Sequence, residues 1–569
     1  MDKKNPVANF YRASAEDFKK IPGSPTAYWL SNKMMDIFYK SRKLENIAEI
    51  KHGLSTGDNN AVVRLWSEIS VRDFGLNFDE RLVAIDSGYK WFPYNKGGDY
   101  RKWYGNHSYV VRYDHYGNEL MNTFSGHRHD GKDYYFKEGV TWTFISSSNF
   151  ASRYTPNGFV FDVSGSSIFI DKPLELTAFL CTKLCFNCLK ALNPTLNFQV
   201  GNIKSLPIDK NNLGKTINDI STNIIKYSKS DWNSYETSWD FTKLPLLEKY
   251  YKTETISTTY NNLRAHWQEM TSEMKRLEEE NNRIFIEAYG LEDELNPDVP
   301  LEEITLTCNP YYRYGKNKSE EDLEKLLLAD TMREYISYAV GCIFGRYSID
   351  KDGLVLANAG DDIEEYYRQI PKPTFVPDES GILPVTADED YTDDLPSQFR
   401  NFLRTTFGDQ NYRENISFIE DAIGKDIRGY FLKNFYSDHV KRYKKRPIYW
   451  MISSPNGSFK ALIYLHRYHK DTINRFLNDY LRPYKQKLQA KIQNNAHIID
   501  SGSYGTNEKN RAQKQITEYE KQLKELSTWE KDVVYPLASQ RIELDLDDGV
   551  KVNYAKLGAI LEKVKGLNA

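Results

Sequence analysis

Between Ile256 and Gly290 apolar residues recur at alternating spacings of four and three. The series runs Ile256, Tyr260, Leu263, Trp267, Met270, Met274 and Leu277, with Asn281 on the next position and Ile284 after it. A stripe of this period holds one face of a helix against a partner surface for roughly four heptads, the signature of a coiled-coil rod. An amide on the seam, here Asn281, helps fix register because it must find its own partner. Gly290 ends the pattern as a helix C-cap does.

The chain divides around this rod, and its 569 residues suggest about three or four domains. Residues 1–45 read as a lead-in, with IPGSPTAYWLS followed by the short helix spacing of SNKMMDIFYKS. Residues 46–210 carry short runs rich in Val, Ile, Phe, Thr and Tyr, such as YVVRYD, TWTFISSS, GFVFDVSG and SSIFIDK, bounded by Gly, Asn, Asp or Pro. That pattern predicts a β-rich domain with exposed loops. It closes with an apolar helix over Leu174–Leu192 and then NPTLNFQVGNIKSLPI. Residues 211–300 hold a linker and the rod. Residues 301–470 read as a second, mixed domain. It has a helix over 320–348, an acidic Pro-rich loop from Pro371 to Pro396, and two strands around the SPNG turn within 446–468.

Residues 471–569 predict a helical hairpin and tail. The first helix carries Ile473, Leu477, Tyr480, Tyr484, Leu488 and Ile492, with a kink at Pro483. The second carries Ile516, Tyr519, Leu523, Leu526, Trp529 and Val533. The expected class is α+β: a β-rich domain, long spacer helices, a mixed α/β region and a C-terminal hairpin.

With 76 basic and 79 acidic residues the net charge is −3, which does not suit a small, uniformly basic binder. DNA binding stays open, since only the face toward the phosphates must be positive. The sequence has no apolar run of the roughly 18 residues that span a bilayer, and its N-terminus lacks an apolar signal core. Five cysteines, clustered and odd in number, read as reduced and cytoplasmic. Cys181, Cys185 and Cys188 have an iron–sulfur-like spacing, yet i, i+4, i+7 on an apolar helix reads as core. His127, His129 and Asp130 are too few for a metal site, and none is expected.

Three clusters suit nucleic acid. In the loop from Lys51 to Asn60, two glycines permit tight turns. Lys51, Ser55, Thr56, Asn59, Asn60 and the following Arg64 offer side chains that read base edges or phosphates. The segment from Asn95 to Gly105 mixes glycines and aromatics with Lys96, Arg101 and Lys102. Five positive charges in six residues, Lys441, Arg442, Lys444, Lys445 and Arg446, make a candidate phosphate contact. The other reading of each is ordinary: a capped turn, a packed loop, a solvated face.

Longer stretches carry a family resemblance. GLSTGDNNAVVRLW, KWFPYNKGGDYRKWYGN, GVTWTFISSSNFASRYTPNGFVFDVSGSSIF and NFQVGNIKSLPI resemble the C-terminal half of the PglX family, the adenine-specific DNA methyltransferases of BREX phage defence. GCIFGRYSID, KRPIYWMISSPNGSFKALIYLHRY and DLDDGVKVNYAKLG fit the same family further on. NFQVGNIKSLPI is also similar to the end of target-recognition domains in TaqI-like enzymes and type I specificity subunits. The resemblance implies a double-stranded DNA recognition module, with Asn149, Arg153 and Tyr154 joining Ser55, Asn59 and Asn60 as base-reading candidates.

In that family the N-terminal half holds the S-adenosylmethionine fold and the NPPY loop. The nearest match here is Asn309-Pro310-Tyr311-Tyr312, without the second proline, and it reads as a turn. The resemblance therefore implies a chain that is no enzyme on its own, binds no cofactor itself, and works with a methyltransferase half or other BREX components. The alternative is a docking scaffold for such a complex, built on the helical rods.

Overall fold

The structure, a computed structural model, describes residues 14–145, 149–195, 197–388 and 391–567. The start of the lead-in and the end of the TWTFISSS run lie outside the described residues. Helix predominates and the strands are short, so the chain is an α+β protein. Two compact units share it. One comprises Met1–Trp66, Asp73–Ser238 and Arg264–Glu324, the other Ser67–Arg72, Trp239–Leu263 and Lys325–Ala569.

The first unit holds two four-stranded sheets. One orders Glu49–Lys51, Ser167–Phe169, Gly139–Trp142 and Ser152–Thr155, all antiparallel. The other orders Val63–Leu65, Tyr109–Arg112, Trp91–Asn95 and Val160–Phe161, its last pairing parallel. The strand Trp91–Asn95 is buried along its whole length, which is why WFPYN shows no alternation. Leu54, Phe92, Tyr94, Val111, Phe136 and Phe161 form the core here, with Phe92 edge-on to Phe136 at 5.4 Å. Gly53 lies where backbones nearly touch: Leu54 N–H donates to Phe161 O at 2.7 Å. A Cβ on Gly53 would stand 2.1 Å from that oxygen.

The apolar helix expected over Leu174–Leu192 is two helices, Pro173–Leu180 and Lys183–Leu192. Thr182 makes the break, because its hydroxyl accepts the Cys185 N–H at 3.1 Å and so starts a new helix. Cys185 and Cys188 are buried in the second helix. Burial pushes their thiols up, Cys188 to about 12, so they pack as small apolar groups.

The heptad stripe forms the helix Ile256–Ala288, and its seam is buried from Ile256 to Asn281. Ile284 is half-buried. The seam amide does find a partner: Asn281 Nδ2 donates to Ala178 O at 2.9 Å, and Phe285 packs on Phe179 at 5.6 Å. A short helix and loops thus cover this end of the stripe. Glu278 and Asn282, off the seam, are buried as well, so the inward face is wider than a two-helix seam. Gly290 takes φ +66° and ends the helix, as its sequence position implies.

In the second unit the SPNG turn joins the strands Tyr449–Ser453 and Lys460–Tyr464 as expected. Ile382–Val385 pairs beside the latter, so the apolar ILPV within the acidic Pro-rich stretch is a strand and not a loop. The C-terminal hairpin pairs Arg482–Asp500 with Thr506–Trp529. Each helix is interrupted beside a proline. A π-turn at Phe476–Leu481 precedes Pro483, and one at Glu530–Val534 precedes Pro536. A proline ring clashes with the carbonyl four residues back, and the wider turn relieves that clash. Glu530 accepts from both Arg482 and Lys485 at 2.8 Å, tying the two interruptions together. Among the described residues no helix is long and apolar enough to cross a membrane.

Gly53→Ala is expected to destabilise the first unit by at least about 2 kcal/mol, because backbone must move to admit the methyl group. Gly201→Ala, in a helix with open space around it, should cost nothing. Chemical denaturation, read with hydrogen exchange of the first-unit strands, measures both.

Candidate functional site

The loop from Lys51 to Arg64 is built by short-range bonds. Lys51 pairs with Glu49 at 2.6 Å and lies over the Tyr134 ring at 4.8 Å. Ser55 exchanges backbone hydrogen bonds with Arg128, both 3.0 Å, and its hydroxyl donates to Gly126 O. His127 Nδ1 meets Ser55 O at 2.8 Å, so the SGHRHDG segment is zipped onto this loop. Thr56 is buried and donates to Asn59 Oδ1, while Asp58 caps the Asn60 N–H. A one-turn helix, Asn59–Val62, follows before the chain enters a strand. Arg64 turns inward, donating to the carbonyls of Asn60 and Val63 at 2.7 and 2.9 Å. Asn59 and Asn60 are the exposed pair at the tip, and Ser55 is half-buried.

The segment from Asn95 to Asn106 is held quite differently. Lys96 pairs with Asp162 at 3.0 Å above the Tyr94 ring. Arg101, 3% exposed, donates to Asp231 at 2.8 Å, Tyr104 O at 2.7 Å and Thr307 Oγ1 at 3.0 Å. Asp231 also accepts the backbone N–H groups of Thr307 and Cys308. Lys102, 4% exposed, pairs with Glu278, which also accepts from Trp103 Nε1 at 2.8 Å. Burial works against the Lys102 charge, but Glu278 outweighs it and holds the ammonium above its ordinary pKa.

Arg153 is 1% exposed and donates to Arg101 O and Thr143 Oγ1, both at 3.1 Å. Burial lowers its pKa to about 10. Arg101, Lys102 and Arg153, expected at a DNA surface, are interior side chains whose donors serve this loop.

The same loop is strained. Trp103 is buried with φ +72°, a left-handed conformation that a bulky side chain rarely adopts. Such a residue costs on the order of 1–3 kcal/mol and persists only when its surroundings over-determine it. Here its N–H donates to Ser152 O, its carbonyl accepts from Tyr154, both at 2.9 Å, and its indole bonds Glu278. Gly97, Gly105 and Asn106 are also left-handed.

This strained loop forms one wall of a cleft of about 590 Å³. Tyr100, Arg101, Trp232, Tyr311, Tyr312 and Arg313 line it. The Arg101 guanidinium lies 5.1 Å from the Trp232 ring, and Tyr312 Oη donates to Tyr100 O at 2.5 Å. His107 packs against Tyr104 and Trp232, at 4.8 and 6.4 Å between ring centres. Burial, then the Arg153 and Arg101 charges, hold its pKa down to about 3. Asn309 is buried beside the cleft and starts the helix Pro310–Tyr314.

Arg101, expected to contact phosphate, is an interior side chain of this cleft, and the aromatic wall was not expected. NPYY, weighed only for catalysis, was its one legible trace. No spacing rule links residues 100, 232 and 311.

Of the remaining candidates, Asn149 donates to Glu303 at 3.0 Å and Tyr154 to Glu138 at 2.6 Å, both half-buried. In the second unit Lys441, Lys444 and Lys445 are exposed and Arg442 is half-buried. Lys444 and Lys445 are consecutive left-handed residues, φ +49° and +62°, at the end of the helix Phe435–Arg442.

No family model matches this chain. Curated proteins do. It is 36% identical over 581 residues to adenine-specific methyltransferase PglX of Lacticaseibacillus casei (strain Zhang), covering 98% of this chain and 46% of the relative. It is also 36% identical over 591 residues to adenine-specific methyltransferase BrxX of Escherichia coli O9:H4 (strain HS), covering 99% of this chain and 47% of the relative. By sequence the chain is PglX-like. It spans about half the length of these relatives.

The comparisons correct one expectation. The chain was expected to be no enzyme on its own, yet the proteins matched over 98–99% of its residues are methyltransferases. Such relatives imply S-adenosylmethionine as methyl donor. The Asn309–Tyr312 turn does not fit the part of holding an adenine amine beside that cofactor. Asn309 Nδ2 donates to Leu301 O and Ile304 O at 2.7 and 2.9 Å, and Oδ1 accepts the Tyr311 N–H at 3.1 Å.

Two outcomes follow for this site. Glu278→Gln leaves Lys102 as a buried charge without its counter-ion, and should cost about 3–5 kcal/mol of unfolding free energy. The double variant Lys102→Met, Glu278→Leu should recover most of it in the same denaturation experiment. Acid should also weaken the first unit. His107 stays neutral in the folded chain down to about pH 3, whereas the unfolded chain protonates near 6.5. Its contribution is therefore present above about pH 6.5 and lost as pH falls, on the order of 2 kcal/mol by pH 5. Thermal midpoints from pH 7 to 5 should fall less steeply in His107→Phe.

Proposed function

We propose that this chain contributes DNA target recognition to an adenine-specific DNA methyltransferase of the BREX type, acting in phage defence in the cytoplasm. The observation that carries this reading is the 36% identity to two such methyltransferases along 98–99% of the chain. Double-stranded DNA is the substrate, S-adenosylmethionine the methyl donor of the whole protein, and other BREX components its partners.

The exposed candidates divide by chemistry. Asn59 and Asn60 are exposed at the start of a one-turn helix, Asn59 with its Oδ1 accepting from Thr56, and an asparagine amide pairs bidentately with the adenine N6 and N7 edge. Ser55 lies beside them. Lys441, Lys444 and Lys445, with Arg442, offer positive charge to phosphates, which fixes position without reading sequence. Lys51 and Lys96 already have carboxylate partners, so they supply less. Arg101 and Lys102 serve by anchoring the loop that carries them, and Arg153 by donating to it from the neighbouring strand.

Methylome sequencing of cells carrying the protein should show an N6-methyladenine motif that changes or disappears with Asn59→Ala, Asn60→Ala. Lys441→Glu, Lys444→Glu, Lys445→Glu should weaken duplex binding equally on all sequences and flatten the salt dependence by about three counterions. An unchanged motif together with an unchanged salt slope would remove the recognition reading.

A further inference from the structure

We infer that the cleft between Tyr100, Trp232, Tyr311 and Tyr312 binds one unstacked nucleotide, its base among the rings and its phosphate toward Arg313 and Lys316. The size fits: about 590 Å³ is the scale of a small-ligand site. The chemistry fits as well. Four aromatic rings in one cleft offer flat faces on which any base can stack.

Arg313, 5.5 Å from the Tyr314 ring, adds a cationic plane of the kind that pairs with bases and phosphates, while the buried Arg101 guanidinium backs the Trp232 ring. Lys316 stands at the rim, its side chain 72% exposed and only 3.6 Å from Glu302. Asp99 and Glu302, also lining the cleft, can accept hydrogen bonds from an exocyclic amine. An aliphatic ligand would use none of these polar groups, and an acidic peptide would leave the ring faces empty.

The walls are set before a ligand arrives. Arg101 is fixed by Asp231, Thr307 and Tyr104, and Tyr312 by its bond to Tyr100. The strained Trp103 holds the loop between them. A site fixed in advance loses little freedom on binding. The inference does not rest on the methyltransferase reading, because the cleft chemistry is the same whatever the chain does elsewhere.

The nucleotide could be free or an unpaired residue of a DNA strand, and one experiment separates these. Equilibrium dialysis of the full chain against labelled deoxyadenosine monophosphate should show saturable binding, and ribose 5-phosphate, which lacks a base, should not compete. Displacement by a single-stranded oligonucleotide assigns the site to a DNA residue; failure to displace assigns it to a free nucleotide, and the site stands in both cases.

Trp232→Ala should raise the dissociation constant at least about fivefold, the loss expected for one stacking partner. Trp232→Phe, which keeps a ring and guards against misfolding, should stay within about threefold. Lys316→Glu, at the exposed rim, should weaken binding without lowering the thermal midpoint. No saturable binding at millimolar nucleotide, or equal binding by wild type, Trp232→Ala and Lys316→Glu, overturns the inference. Neither result bears on the methylated motif, so the two readings fail separately.

Discussion

Two buried carboxylates, Asp231 and Glu278, hold the first unit in its present form. An arginine and a lysine adjacent in sequence, Arg101 and Lys102, are both carried inside. Taking such ions from water costs several kcal/mol each unless a counter-charge and further hydrogen bonds meet them. Asp231 meets Arg101 and Glu278 meets Lys102, from positions 130 and 176 residues further along the chain. The pairing therefore decides where the loop from Asn95 to Asn106 can lie relative to two helices. It also explains why one helix of the heptad stripe buries a glutamate off its seam.

Much of the local strangeness of this unit follows from that anchoring. With Lys102 and Trp103 both tied to Glu278, the chain between them and Ser152 has little choice of path, and Trp103 is driven to a left-handed φ. Arg153, opposite Trp103, is drawn inside to satisfy the Arg101 carbonyl. The open side of this arrangement is the aromatic cleft. Rigid walls of this kind suit recognition better than chemistry that needs a moving group.

The chain is similar to PglX and BrxX, and the structure redistributes the residues that sequence would have assigned to DNA. Positive side chains are poor guides by themselves. In the first unit they stabilise the interior or pair with neighbouring acids. In the second unit three lysines are exposed at a helix end, two of them, Lys444 and Lys445, on left-handed backbone. Where a charge ends up depends on which acids the fold brings to it, and a net charge of −3 over the whole chain says nothing of that.

Local order was legible in the sequence. The heptad stripe gave its helix, with Gly290 at the stop. SPNG gave its hairpin, and two periodic runs gave the C-terminal pair with an irregularity at Pro483. These follow from short-range rules, since spacing, capping and the missing proline N–H act within a few residues. The split at Thr182 and the strand at Ile382–Val385 were missed because a single cap, or a distant strand to pair with, overrides composition. Which of the basic residues are interior, and that residues 100, 232 and 311 share one cleft, only the tertiary structure decided. A buried charge takes its partner from whatever the fold sets beside it, and no periodicity along the chain encodes a contact made across more than a hundred residues.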